Sequence, residues 1–284
     1  MDWLYALIMG IVQGLAEYLP ISSSGHLQIC SDICSDILDM DTTAAENLEF
    51  TVLLHVATVL STIVVLWREF VPLCVSFFTF KRDKNFYYVL KILVSCIPVA
   101  IVGLFFKKQI STLFDNNLTV VGTCLLVTAA LLAFAYYFRR DERAYAKADG
   151  KRFHAHDITY RDAFVIGIAQ AAAALPGLSR SGSTIATGLL LNDKREELAK
   201  FSFFMVIIPI LGEMLMDVKD MISPDTATAA ASASMGWLPM LVGFLAAFIV
   251  GCLACKWMIN LVKKGKLVWF AIYCVIVGCL CLIF

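Results

Sequence analysis

Residues able to do acid–base chemistry are concentrated near the start of the chain, in a stretch that is otherwise apolar. Gln13 and Glu17 are four residues apart, so a helix places both on one face. Carboxylate and amide oxygens are ligands that Mg²⁺ or Ca²⁺ accepts, and a carboxylate can also act as a general base. His26 adds an imidazole that could be a general acid–base group or a nucleophile toward phosphorus, and Ser23 lies beside it. We therefore predict a site in this stretch, in which Glu17 is a ligand of a hard cation or a general base and His26 takes part in the chemistry.

A second polar stretch, Ser-Arg-Ser-Gly-Ser-Thr, covers residues 179–184. Serine is a favourable helix N-cap, and the free amides of a helix N-terminus attract an anion. The planar guanidinium of Arg180 binds phosphate oxygens in pairs, so we add it to the catalytic residues. The predicted phosphate-binding residues of both stretches are Ser22, Ser24, Gly25, Ser179, Arg180, Ser181, Gly182 and Thr184. The apolar surroundings of these stretches contain an acid, a histidine, hydroxyls and one arginine. This combination indicates phosphoryl transfer on a hydrophobic substrate.

Interpretations without chemistry stay open for several of these residues. Glu17 could be an interfacial residue that reaches water, and Arg180 could extend to the interface in the same way. The serines could cap helices and do nothing else. His55 lies in an apolar segment and could line the same cavity, and Glu213, another acid in an apolar segment, could pair with a cation or face an opening to the outside.

The two polar stretches belong to two copies of one pattern, residues 4–27 and 161–184. The pairs that repeat at one constant spacing are Gly10 and Gly167, Gln13 and Gln170, Ser24 and Ser181, and Gly25 and Gly182. Each copy has an apolar helical stretch, a proline, a Ser/Gly loop and a second apolar stretch. Matching Pro/Gly-interrupted apolar segments in two halves of a chain indicate a binding site in a membrane.

The copies differ in the residues that carry chemistry. Glu17 and His26 of the first copy correspond to Ala174 and Ser183 of the second, whereas Arg180 occurs only in the second. We therefore expect the chemistry in the first copy and the binding of an anion in the second.

The composition is typical of a membrane protein. Hydrophobic residues make up 60% of the chain and charged residues 16%, with a mean hydropathy of +0.79, whereas a soluble domain is about half apolar and about a quarter charged. The formal net charge is zero and no basic tract occurs, so nothing indicates nucleic acid as a partner. The stretches that approach the ~20 apolar residues needed to cross a bilayer are 47–67, 87–106, 117–138, 197–216, 237–257 and 267–284.

Positive charges predict how these segments are oriented. Lys and Arg are concentrated in 139–156, which we place inside, whereas the acidic N-terminal region and 217–236 are placed outside. These assignments agree only if 3–37 and 161–191 each enter and leave the membrane on one side, as re-entrant hairpins. The alternative is that both are ordinary spans broken by proline.

The predicted fold is an all-α polytopic membrane protein, an inverted repeat of a re-entrant helix hairpin plus three transmembrane helices. Repeat 1 covers 1–138, a polar cytoplasmic linker covers 139–160, and repeat 2 covers 161–284. His154 and His156 lie in the linker, where we expect them to be solvated.

The segments QGLAEYLPISSSGHL and PGLSRSGST resemble the two signature stretches of the undecaprenyl pyrophosphate phosphatase family, the bacitracin-resistance proteins. The similarity covers nearly the whole chain. The resemblance implies an enzyme of the bacterial inner membrane that hydrolyses undecaprenyl diphosphate to undecaprenyl phosphate and inorganic phosphate. It also implies a site open to the extracytoplasmic side, a divalent cation (Mg²⁺ or Ca²⁺), and a role in recycling the lipid carrier for cell-wall synthesis.

The resemblance also assigns roles to positions of this chain. The implied roles are metal ligand or base for Gln13 and Glu17, nucleophile or acid–base group for Ser23 and His26, and phosphate binding for Ser179, Arg180, Ser181 and Thr184. Gln13 stands where the family often has glutamate, which leaves open the charge balance at the metal and the choice of general base. The sequence does not decide whether Ser23 or His26 attacks phosphorus.

Two other classes of function compete with this one. A lipid-phosphate transporter or flippase could use the same broken helices without chemistry, but the presence of Glu17 and His26 in one copy only argues against it. A phosphatidate-type acid phosphatase would share the Ser-Gly-His step, yet its Arg-Pro and His-x-x-x-Asp motifs do not occur in the sequence. The predicted partners are a polyprenyl diphosphate lipid and the bilayer, and a homodimer is left open.

Overall fold

The computed structural model of the chain describes residues 2–38, 44–106, 118–148, 155–222 and 236–283. Within these ranges the regular secondary structure is helical, and an isolated parallel bridge pairs His156 with Asp193. The helices are α1 (Asp2–Ala16), α2 (Ser23–Leu38), α3 (Ala44–Val65), α4 (Trp67–Phe78), α5 (Lys84–Phe105), α6 (Leu118–Ala148), α7 (Tyr160–Ala172), α8 (Arg180–Leu190), α9 (Arg195–Met205), α10 (Ile207–Ile222), α11 (Trp237–Lys264) and α12 (Val268–Ile283).

Several of these helices are long and apolar enough to cross a membrane. Among the described residues four segments qualify: Lys84–Phe105, Leu118–Arg139, Arg195–Met216 and Trp237–Lys264. Glu49–Val65 and Trp67–Phe78 make a fifth if they form one span, which is bent by 91°. These segments confirm the prediction of an all-α polytopic membrane protein. The 16 residues of α12 rise about 24 Å, less than the ~30 Å hydrocarbon core, so the span at 267–284 stays a prediction.

Two helix boundaries differ from what the sequence indicated. The predicted span 197–216 is interrupted at Val206, which separates α9 from α10, whereas the end of the first span at Leu66, where the chain bends sharply into α4, agrees with the predicted 47–67. In addition, α6 continues through Ala148, well into the stretch expected to be a polar loop. The reason is that Arg, Glu, Lys and Ala are strong helix formers, so the change to polar composition marks the end of the apolar span but not the end of the helix.

The segments predicted as hairpins, 3–37 and 161–191, form the helix pairs α1–α2 and α7–α8. The two arms of each pair pack against each other. The arms of the second pair have 13 and 11 residues, which makes them about 20 and 17 Å long, too short for either to cross a bilayer. Folded-back, short arms favour re-entrant hairpins over spans that are merely broken by proline.

Each hairpin packs against a long helix from the other half of the chain. α1 lies along α11, and α7 lies along α5. A Cβ added at Gly10 would stand 2.4 Å from the Gly243 carbonyl oxygen, and one added at Gly167 would stand 2.3 Å from the Ser95 carbonyl oxygen. The glycine that repeats in both copies therefore permits a close contact between helices and has no chemical role.

Large apolar side chains occur both in the core and on the outside of the molecule. Ile166, Ile185 and Phe201 are fully buried, whereas Phe105 and Trp269 are largely exposed. Exposed apolar surface on this scale is expected where the protein contacts lipid.

Candidate active site

The tips of the two hairpins meet, and their contact joins the two polar stretches. Arg180 Nη2 of the second tip lies 3.0 Å from Glu17 Oε1 of the first. The Ser181 hydroxyl donates a hydrogen bond to the Leu19 carbonyl oxygen over 3.1 Å. Gly25 and Gly177 also approach closely, because a Cβ on Gly25 would stand 3.2 Å from the Gly177 Cα. The fold thus places the carboxylate of Glu17 from one copy against the guanidinium of Arg180 from the other.

Glu17 is the centre of the contacts at the tips. Its Oε2 accepts hydrogen bonds from Gln13 Nε2 at 3.1 Å and from the Ser23 hydroxyl at 2.9 Å, while Arg180 binds its other oxygen. The Glu17 side chain is only 7% exposed. A carboxylate in such surroundings needs a cation and donors to remain charged, and Glu17 has both. It is therefore not an interfacial residue that simply reaches water.

His26 faces a residue that the sequence did not single out. Its Nδ1 lies 2.9 Å from the Ser22 carbonyl oxygen, and its Nε2 lies 2.8 Å from the hydroxyl of Tyr273 on α12. The two rings are stacked with their centroids 5.5 Å apart. A carbonyl oxygen only accepts, so Nδ1 carries the proton and Nε2 is the basic nitrogen, to which the Tyr273 hydroxyl donates. Tyr273 thus fixes the ring of a predicted catalytic residue.

The first Ser-rich loop is held by its own hydrogen bonds. Ser22 has a left-handed backbone, with φ of 72°. The Ser22 hydroxyl accepts a hydrogen bond from the Gly25 amide at 3.3 Å and lies 3.3 Å from the Ser24 hydroxyl. Ser23, the first residue of α2, is the serine of this loop whose hydroxyl points to Glu17. Ser22 therefore caps the helix, and a role in phosphate binding for Ser22, Ser24 and Gly25 stays a prediction.

Most hydroxyls of the second loop also have structural partners. Ser179 caps α8 by accepting from the Gly182 amide at 3.1 Å, and its own amide donates to the Thr128 hydroxyl at 3.1 Å. The hydroxyl of Thr184 lies 2.6 Å from that of Ser202. These contacts agree with the capping alternative for the serines, and the phosphate-binding role of Ser179, Ser181, Gly182 and Thr184 stays a prediction. Arg180 differs from them because its guanidinium is 23% exposed and faces the carboxylate of the other copy.

The predicted metal ligands fit a hard divalent cation. Gln13 is fully buried, and its Oε1 has no hydrogen-bond partner among the described residues. This orphaned amide oxygen lies on the residue whose Nε2 contacts Glu17, so an amide and a carboxylate oxygen are available from one helix end. Oxygen ligands of this kind are those that Mg²⁺ and Ca²⁺ accept.

The two further candidates from the sequence lie in different settings. His55 on α3 is close enough to Glu17 for their charges to interact, and its Nδ1 lies 2.9 Å from the Thr51 carbonyl oxygen. Glu213 is exposed on α10, and no described contact links it to Glu17. His55 therefore belongs to the surroundings of the site, whereas Glu213 does not.

The linker histidines were expected to be solvated. His154 lies outside the described residues. His156 is exposed, as expected, with 47% of its side chain accessible, and its Nδ1 lies 3.4 Å from Asp193 and 3.8 Å from Asp162. The bridge between His156 and Asp193 holds it there, since the His156 amide donates to the Asn192 carbonyl oxygen.

A comparison with families of known proteins decides the relationship of the chain. The family described as bacitracin resistance protein BacA matches residues 6–280. The chain belongs to the BacA family. This confirms the resemblance that the two signature stretches indicated.

Relatives of the same length support membership in the BacA family. The undecaprenyl-diphosphatases of Bacteroides fragilis and Bacteroides thetaiotaomicron are each 51% identical to the chain, and that of Parabacteroides distasonis is 52% identical. Each alignment spans 278 residues, which is 98% of this chain and 96% or 97% of the relative. In this BacA protein, both signature stretches lie at the hairpin tips that meet.

Proposed function

We propose that the protein hydrolyses undecaprenyl diphosphate to undecaprenyl phosphate and inorganic phosphate, and thereby recycles a lipid carrier and confers resistance to bacitracin. The observation that carries this proposal is the meeting of Glu17, Ser23 and Arg180 at the hairpin tips. The names of the relatives point to the same reaction. An apolar outer surface suits a substrate whose prenyl tail stays in lipid.

Arg180 binds the phosphate in this proposal. Without substrate its guanidinium is paired with the Glu17 carboxylate. A diphosphate that enters between the tips offers oxygens to the same guanidinium, whose fork binds two at a time. Glu17 then loses its contact with Arg180 but keeps the hydrogen bond from Ser23, so it remains placed to accept the Ser23 proton.

Ser23 is the nucleophile favoured by the geometry, because its hydroxyl already donates to Glu17. The Ser23 oxygen attacks the terminal phosphorus, Glu17 accepts the hydroxyl proton, and undecaprenyl phosphate leaves with the bridging oxygen. Water then hydrolyses the phosphoserine: Glu17 returns its proton to the serine oxygen, and the proton of the attacking water goes to the released phosphate.

His26 remains the alternative nucleophile or acid–base group. Its unprotonated nitrogen is Nε2, but the lone pair of Nε2 accepts a hydrogen bond from the Tyr273 hydroxyl. Trapping the covalent intermediate separates the two assignments, since a phosphoserine survives acid and a phosphohistidine does not. An acid-stable phosphoenzyme that disappears in Ser23→Ala is the expected result, and an acid-labile one would transfer the role to His26.

A divalent cation, Mg²⁺ or Ca²⁺, would be held by Gln13 and Glu17 and would supply neutralisation of charge on the phosphate. Gln13→Glu is expected to keep activity, because it adds charge only beside the cation. Glu17→Gln is expected to lower kcat by at least ~100-fold and to weaken the dependence on cation, because an amide neither accepts a proton nor binds a hard cation well.

The charges of the chain bear on how the protein is oriented in the membrane. We propose that the protein lies in the bacterial inner membrane with its site open to the extracytoplasmic side. The excess of Lys and Arg in 139–156 supports this orientation. The homodimer stays a prediction.

The proposed reaction is tested by phosphate release from undecaprenyl diphosphate by the purified protein in detergent, with and without chelator. Glu17→Gln is the inactive variant, and Glu213→Gln is its matched control, because it changes an exposed acid that has no described contact with the site. Phosphate release by wild type and Glu213→Gln but not by Glu17→Gln is expected. No release by wild type, together with movement of the lipid across vesicles, would instead establish the flippase.

A further inference from the structure

A second group of possible ligands lies at the far end of the second hairpin from Arg180. His156 precedes α7, Asp162 lies in its first turn, and Asp193 follows α8. One ligand atom from each residue lies within 4.8 Å of the other two. The three residues therefore meet where α7 begins and α8 ends, whereas Arg180 lies at the tip of the hairpin.

Asp193 is the buried carboxylate of this group. Its side chain is fully buried, and neither carboxylate oxygen has a hydrogen-bond partner among the described residues. The charge of Arg139 acts on Asp193, but its Nη2 donates to the backbone carbonyl oxygen rather than to the carboxylate. A buried carboxylate without hydrogen bonds is unfavourable in free energy unless it coordinates a metal or pairs with an opposite charge.

The distances suit a tetrahedral metal ion. Ligand atoms held about 2.0–2.2 Å from zinc lie about 3.3–3.6 Å from each other. His156 Nδ1 lies 3.4 Å from Asp193 Oδ1 and 3.8 Å from Asp162 Oδ2. Only small movements are needed to bring all three atoms to coordination distance. Nitrogen and carboxylate ligands together favour Zn²⁺ over the purely oxygen-loving Mg²⁺ and Ca²⁺.

The surroundings hold the ligands in place. Asp162 Oδ2 accepts hydrogen bonds from the Thr159 amide and hydroxyl at 2.8 and 2.5 Å, which orients the carboxylate as outer contacts of metal ligands usually do. The amide of Lys194 donates to the His156 carbonyl oxygen, which fixes the segment around His156 against the residues that follow α8. His156 Nδ1 also lies 3.1 Å from the Asp157 carbonyl oxygen, a contact suited to a protonated ring. A bound metal ion would replace that proton.

We propose that His156, Asp162 and Asp193 bind a Zn²⁺ ion that joins the two ends of the second hairpin. The role of this ion is structural. It fixes the base of α7 and α8 and so the position of their tip. The site is independent of the proposed reaction, because none of its ligands contacts Glu17, Ser23 or Arg180.

The test is calorimetric titration of tag-free protein in detergent with ZnCl₂, after treatment with chelator. Glu17→Gln is used as the parent protein so that the first candidate cation site does not contribute. We expect this parent to bind one Zn²⁺, and the added His156→Ala change to weaken binding by at least ~10-fold. Asp157→Asn is the matched control, because it removes a neighbouring exposed carboxylate that pairs with Lys194, and it should bind as the parent does.

Thermal unfolding gives a second readout. Zn²⁺ should raise the Tm of the wild type and of Asp157→Asn but not that of Asp193→Asn or His156→Ala. Asp193→Asn should itself be at least as stable as the wild type in chelator, because it removes a buried charge. Absence of Zn²⁺ binding by the parent, or equal affinity in His156→Ala, would overturn the proposal. His156 is half exposed, so His156→Ala is also expected to fold.

Discussion

Arg180 and Glu17 neutralise each other across the two copies, and the chemistry of the site depends on the shape of the arginine as well as its charge. Arg180→Lys keeps the charge but loses the paired donors that match phosphate oxygens. We expect kcat/KM for phosphate release to fall at least ~100-fold, which is about 2.7 kcal/mol of transition-state stabilisation. Arg161→Lys, at an exposed arginine of the same hairpin, should change little. Near wild-type activity in Arg180→Lys would mean that a point charge suffices.

Tyr273 positions His26, and its removal should affect turnover more than binding. Tyr273→Phe keeps the stacked ring but loses the hydroxyl that faces Nε2. We expect kcat to fall roughly tenfold with KM changed less than twofold. Tyr87→Phe, at an exposed tyrosine of α5, serves as the control. If kcat is unchanged and only the Tm falls, Tyr273 has a packing role and no influence on the chemistry.

Sequence patterns identified the residues of the site but not all of their partners. Gln13 and Glu17, and the Ser-rich loops, could be found because they repeat or because they are polar in apolar surroundings. Tyr273 could not, since a single tyrosine in an apolar helix has no local signal and meets His26 only through the fold. The same holds for Asp193, whose burial depends on how the segment around His156 lies beside the residues that follow α8.

At the scale of the helices, small residues decide how closely the hairpins approach their partners. Gly10→Ala would place a Cβ 2.4 Å from a backbone oxygen of α11, which cannot move aside as a side chain can. We expect a loss of stability of ~1–3 kcal/mol from overpacking, seen as a lower Tm in detergent and as lower activity.

Gly212→Ala is the matched control for this prediction. It lies within α10, and nothing stands within 4 Å of an added Cβ. Alanine is the better helix former there, so stability should stay the same or rise by ~0.5–1 kcal/mol. Equal Tm values for the two variants would show that α1 and α11 can separate without cost.

The helix boundaries also show where sequence reasoning stops. Hydrophobicity located the apolar segments well, because crossing lipid demands a long apolar run. It did not locate the break at Val206 or the extension of α6 to Ala148, because neither changes the apolar run itself. Bends are set by packing between helices, and helix ends in water are set by propensity.

For the whole molecule, the orientation of the two repeats predicts which loops share a side. If each hairpin is re-entrant and three spans follow it, 139–156 and 217–236 lie on opposite sides. Single cysteines at Ala146 or Ser232, in a chain whose native cysteines are replaced, should therefore react with a membrane-impermeant reagent from opposite sides of intact cells. Labelling of both from one side would contradict the inverted repeat.

The packing of α1 along α11 has a consequence for how the protein is made. α1 leaves the ribosome well before α11, because nine helices lie between them in the described chain. Between these events the glycine-lined face of α1 has no partner, and lipid or an insertion factor must shield it. A chain that stops before Trp237 would lack the helix against which α1 packs, so neither half is expected to mature alone. Quality control in the cell can recognise the first hairpin as folded only after α11 has been synthesised.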